Sequence, residues 1–173
     1  MASGAYRNAE PVPAEHVVAL LRERLYGAIS CLATLAVLVR YTTEQTSAWA
    51  RVLDVAVATG GLWAASLLAD WVANLSVYGR APGGRAPLRL LQASGQILEA
   101  AFAPLLVLVV AGIGWLNTDT AMWVAMWILV AELGVIALLA VRRTQLPWWQ
   151  KVVTVVGLVG VGVFVVGIKM VAH

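Results

Sequence analysis

Residues 121–141 read AMWVAMWILVAELGVIALLAV, twenty-one positions with a single charged side chain, Glu132. About twenty apolar residues are enough to cross the hydrocarbon core of a bilayer as a helix. The stretch shows no period-2 alternation and is far longer than a strand, so it reads as a membrane helix rather than part of a barrel. Four further runs flank it. Working outward, the spans are expected at about 20–41, 52–77, 90–116, 121–141 and 152–169. The fold class is therefore all-α, a bundle of five transmembrane helices.

Composition agrees with this reading. Of 173 residues, 61% are hydrophobic and only 12% charged, against about 45–50% and 25% in an ordinary soluble domain. Mean hydropathy is +0.84. The net charge of +3 and pI near 9.4 bring no basic stripe with them, which argues against nucleic-acid binding. One cysteine, Cys31, precludes an intrachain disulfide, and His16 and His173 are too far apart in the chain to suggest a metal site. No metal and no cofactor are expected.

The basic residues set the expected orientation. Arg7, Arg22, Arg24, Arg80, Arg85, Arg89, Arg142, Arg143 and Lys151 fall on one side of the five-span arrangement, and Arg40, Arg51 and Lys169 on the other. This nine-to-three division puts the N-terminus in the cytoplasm and the C-terminus outside. Residues 1–15 read as a mobile leader and 16–173 as one transmembrane domain. The connections are short. Residues 79–87, GRAPGGRAP, make a turn. Pro147, Trp148 and Trp149 lie at an expected membrane boundary, where Trp anchors are common.

Three acids are out of place in these spans. Asp70 lies ten residues from Arg80, Glu99 ten from Arg89, and Glu132 ten from Arg142. At about 1.5 Å of rise per residue, each sits roughly 15 Å inside the boundary, near the midplane. With Arg24 assigned to the boundary, no basic residue is expected at that depth. A charged side chain there costs about 2.5–3.5 kcal/mol, so three unpaired carboxylates should be protonated, hold a cation, or line a wet cavity. Ser66, Asp70 and Asn74 share a face of the second helix, and Gln92, Gln96 and Glu99 share one on the third. Pro104 should kink the third helix and free the Ala100 carbonyl beside Glu99.

Other features read as packing. Gly61, Ala65, Ala69 and Ala73 form a small-residue stripe suited to close helix contact within the bundle. Gly157, Gly160 and Gly162 lack the strand-turn-helix context of a nucleotide fingerprint. Glu23, between Arg22 and Arg24, reads as a surface neighbour, and Lys169 as a snorkelling side chain. The sequence contains no nucleophile–base pair, Walker loop or HExxH, which argues against an enzyme.

Arg-Leu-Tyr-Gly (24–27), Leu-Glu-Ala-Ala (98–101) with Pro104, Ala-Glu-Leu (131–133), Arg142-Arg143 and Ile-Lys-Met-Val-Ala-His (168–173) together resemble a family of small, uncharacterised actinobacterial integral membrane proteins. The resemblance runs from about residue 22 to the C-terminus. It implies a bacterial plasma membrane and carries no activity. Many members have a histidine motif near the end of the second helix, where this chain reads Ala-Asp-Trp-Val-Ala-Asn (69–74).

The leading expectation is a small channel or proton- or cation-linked transporter. Asp70, Glu99 and Glu132 are its proton or cation ligands, assisted by Gln96, Asn74 and Ser66. Five short helices leave little room for a transport path, so a homo-oligomer is expected. The alternative is a non-catalytic accessory or assembly subunit of a larger membrane complex, and a lipid- or pigment-interacting protein is a third class, suggested by the eight tryptophans.

Overall fold

The computed structural model describes residues 14–41, 46–79, 81, 83–84, 86–142 and 147–171. Of the expected leader, 1–15, residues 1–13 lie outside the described residues, as do Arg80, Arg85, Arg143 and His173, and residues 14–15 are helical. The described chain forms five helices: α1 (Ala14–Arg40), α2 (Ala48–Tyr78), α3 (Ala86–Gly112), α4 (Thr118–Arg142) and α5 (Trp148–Val171). Four of them, α2 to α5, are long and apolar enough to cross a membrane. In α1 the triplet Arg22-Glu23-Arg24 interrupts the apolar run.

Helix ends follow local chemistry. Ser47 caps α2, its hydroxyl accepting from the Trp49 amide at 3.3 Å. Gly79 stops the same helix in the left-handed region (φ 61°), its amide donating to the Leu75 carbonyl at 2.9 Å. Asn117 opens α4, its Oδ1 accepting from the Asp119 amide at 2.9 Å. Within the helices, Thr34, Ser76, Ser94 and Thr154 donate to a carbonyl one turn back, which satisfies hydroxyls that face apolar surroundings. α3 runs unbroken through Pro104, which is fully buried, as is Ala100.

The core lies between α1, α3 and α4. Leu32 and Leu35 of α1, Ile97 and Leu108 of α3, and Met122, Met126, Leu129 and Leu133 of α4 are wholly buried. α5 packs on the outside of α4. A Cβ on Gly162 would stand 3.3 Å from Val130 and Leu133, and one on Gly134 would stand 3.4 Å from Val159, so the two helices run antiparallel. Among the described residues, Gly157 and Gly160 face open space, so of the three glycines read as packing positions only Gly162 meets a neighbour.

α1 and α3 approach closely. A Cβ on Gly27 would lie 2.8 Å from the Ile97 Cα and 3.1 Å from its carbonyl oxygen. Only a glycine lets the two backbones come this near. The stripe Gly61, Ala65, Ala69, Ala73 is instead exposed, and nothing lies within 4 Å of a Cβ on Gly61. The helix contact expected of that stripe is made by Gly27.

α2 packs along α3 but buries its side chains at one end. Its buried residues are Ala48, Arg51, Val55 and Thr59, one face over three turns, and Trp49 covers Gly112 at the end of α3. Beyond Thr59 no residue of α2 is fully buried. Small side chains in this half leave space against α1.

Candidate functional site

The three acids do not converge. Glu132 and Glu99 meet at Arg24, whereas Asp70 faces a separate groove. Arg24 Nε donates to Glu132 Oε1 at 2.8 Å, and its Nη1 to Glu99 Oε1 at 3.4 Å. Gln96 Nε2 donates to the other Glu99 oxygen at 2.7 Å. The expectation that no basic residue reaches this depth is therefore corrected. The physical reason is that α1 is already helical at Ala14, the first described residue, whereas the span is expected only from about residue 20. Arg24 thus lies at least ten residues inside its helix, as far from that end as Glu99 is from Arg89 and Glu132 from Arg142, or farther.

The Gly27–Ile97 approach delivers Arg24 to its partners. Arg24 lies three residues before Gly27, on the same face of α1, and Gln96 and Glu99 flank Ile97 on α3. Burial is unequal: the Glu132 side chain is 15% exposed, Arg24 33% and Glu99 54%. Glu132 is thus the better shielded arm of the pair, and Glu99 remains open to a further partner. Gln92 is exposed.

The second cluster centres on Glu23, which is 5% exposed rather than a surface residue. Its Oε1 accepts from Arg22 Nη2 at 2.8 Å and Nε at 3.2 Å, and its Oε2 accepts from the Ser66 hydroxyl at 2.8 Å. Burial of this carboxylate is offset by an arginine and a hydroxyl, the two kinds of partner it needs. Asp70 lies one turn beyond Ser66. Its carboxylate has no hydrogen-bond or ion-pair partner among the described residues. Asn74, expected to assist, donates its Nδ2 to the Asp70 backbone carbonyl at 2.9 Å and so caps its own helix turn.

Arg22, Glu23 and Tyr26 of α1 and Leu62, Ala65, Ser66, Ala69 and Asp70 of α2 line an open groove of about 420 Å³. A smaller cavity of about 160 Å³ continues along the same seam, between Gly27, Ser30, Cys31 and Thr34 on one side and Ala58, Thr59 and Leu62 on the other. Leu62 borders both. Each charged cluster sets two carboxylates against one arginine: Glu99 and Glu132 with Arg24, Glu23 and Asp70 with Arg22.

The charge triplet Arg22-Glu23-Arg24 carried the signal for both clusters. It is bracketed by Val17–Leu21 and Leu25–Val39, so these charges fall within an apolar helix rather than at its edge. Among the described residues no group of three or more His, Cys, Asp or Glu is arranged to hold a metal ion. Comparison with known proteins finds no matching family model, no matching curated protein and no matching solved structure.

Proposed function

We propose that the chain is a small multi-pass protein of a bacterial plasma membrane that carries protons or small cations along the seam between α1 and α2. In this reading all five helices cross the bilayer, with the N-terminus cytoplasmic and the C-terminus outside. α1 spans as well because its charges are paired within the bundle. The excess of basic residues on one set of connections supports the orientation.

The observation that carries the reading is the unpartnered Asp70 in the 420 Å³ groove. Glu23 is already bonded to Arg22 and Ser66, so the second carboxylate adds an uncompensated negative charge at a depth where charge is expensive. A proton or a cation relieves it. The cavity beyond Leu62, lined by Ser30, Thr34 and Thr59, offers hydroxyls for the onward step. Glu99, Glu132 and Gln96 act mainly through Arg24, fixing α1 against α3 and α4. Proton flux in liposomes, followed with an entrapped pH dye under an imposed gradient, tests this. Wild-type protein should carry flux that Asp70→Asn abolishes and Glu99→Gln retains. Wild-type flux equal to that of empty liposomes would refute the reading.

A second reading, a non-catalytic subunit of a larger assembly, is favoured by Glu99. Its side chain is 54% exposed on the flank of α3, beside exposed Gln92. Lipid is a poor neighbour for these groups, and a helix of another membrane subunit would cover them. Native mass spectrometry in mild detergent separates the cases: a stable hetero-complex supports this reading, and a homogeneous single chain or homo-oligomer opposes it.

A further inference from the structure

The shape and lining of the α1–α2 groove point to a ligand more specific than an inorganic ion, and we propose that it binds a lipophilic organic monocation, such as a protonated or quaternary amine carrying an apolar body. The inference rests on the reading above that Asp70 is the working acid of the seam. A bare proton needs no 420 Å³ of space, whereas cavities of about 300–1,000 Å³ are typical of small-molecule sites. The lining divides by chemistry. Asp70 offers a free carboxylate, and Glu23 lies behind it with its oxygens already engaged by Arg22 and Ser66. Two carboxylates against one guanidinium leave one negative charge, which selects a monocation.

The rest of the lining is an aromatic ring, Tyr26, and the small or aliphatic side chains Leu62, Ala65 and Ala69. A phenol ring beside a carboxylate suits an ammonium group, which the ring face attracts as well. The alanines leave room for an apolar body. Ala65, Ala69 and Tyr26 are exposed on the outer flank of the bundle, so the groove opens where acyl chains would lie, and an amphiphilic cation can reach it through the bilayer.

The test is calorimetric titration of the full-length protein in mild detergent with benzyltrimethylammonium, a cation that cannot donate a proton. Saturable binding at one site per chain is expected. Asp70→Asn should weaken it by about tenfold or more, Tyr26→Leu should weaken it less, and Glu99→Gln, outside the groove, should leave it unchanged. Neopentylbenzene, the neutral carbon isostere, should not compete. Should Asp70→Asn fail to fold, Ala69→Leu fills the groove without touching a charge and should also abolish binding. Absence of saturable binding to folded wild-type protein, or equal binding by Asp70→Asn or Ala69→Leu, would overturn the inference. Proton flux measured on the same preparation keeps the two proposals apart: flux without benzyltrimethylammonium binding removes only the ligand assignment, whereas wild-type protein without flux removes the transport reading.

Discussion

Gly27→Ala tests how the Arg24 cluster is assembled. The added Cβ would stand 2.8 Å from the Ile97 Cα and 3.1 Å from the Ile97 carbonyl oxygen. Carbon atoms at rest are about 3.5–4.0 Å apart, and the obstructing atoms are backbone, so no rotamer change relieves the clash. The helices must separate by about 1 Å. Arg24 sits one turn away and moves with α1. Its 3.4 Å contact with Glu99 then stretches beyond ion-pair range, whereas the 2.8 Å bond to Glu132 on a different helix has slack to persist. Overpacking of this kind costs about 1–3 kcal/mol. For a chain of this size that lowers the unfolding midpoint by roughly 2–12 °C, readable by tryptophan fluorescence in detergent. Gly60→Ala is the control, because nothing lies within 4 Å of its Cβ; it should leave the midpoint unchanged or raise it by the helix-propensity gain of up to about 1 kcal/mol. A second signature follows from the lost contact: Glu99→Gln should cost less in the Gly27→Ala background than in wild type. Equal midpoints for Gly27→Ala and Gly60→Ala would refute the reasoning.

Other substitutions probe the remaining parts. Asp70→Asn should leave stability unchanged or raise it, since the carboxylate accepts no hydrogen bond among the described residues and the isosteric amide removes an uncompensated charge; a large loss of thermal stability would show that Asp70 is a structural group. Topology is open to labelling. In a Cys31→Ser background, a membrane-impermeant maleimide applied to intact cells should label Thr120→Cys and spare Ala81→Cys, and the opposite pattern would invert the orientation. Both positions are exposed, and Cys31, the one native cysteine, is buried.

Much of the fold was legible because apolar runs of helical length leave a chain few choices in a bilayer. The α4 stretch around Glu132 and the turn after Tyr78 lie where hydropathy and Gly79 put them. α1 was harder. The polar residues Glu15 and His16 precede the apolar run, so the span is expected only from about residue 20 with Arg24 near its edge, whereas the helix already includes Ala14. That shift of about six positions moves a side chain some 9 Å along the axis, which turned a counter-ion into a boundary marker. Counting residues gives a position along each helix, but not its rotation. Asp70 and Glu99, expected at one depth, face different neighbours because the direction each helix face takes is decided by contacts such as Gly27 against Ile97, which no single helix encodes. Glu23 was missed for a related reason: its sequence neighbours are arginines, whereas its decisive partner, Ser66, lies on the next helix.

The pairing of Arg24 with Glu132 inside the bundle is the feature on which the separation of the two charged sites depends, and a double-mutant cycle on unfolding measures it. Arg24→Gln, Glu132→Gln and the double variant should give a coupling energy of about 1.5–3 kcal/mol, the range for a hydrogen bond to a charged group, with the double variant more stable than the sum of the single losses implies. A coupling energy near zero would mean that the two side chains do not meet, and the assignment of Arg24 as the interior counter-ion would be wrong.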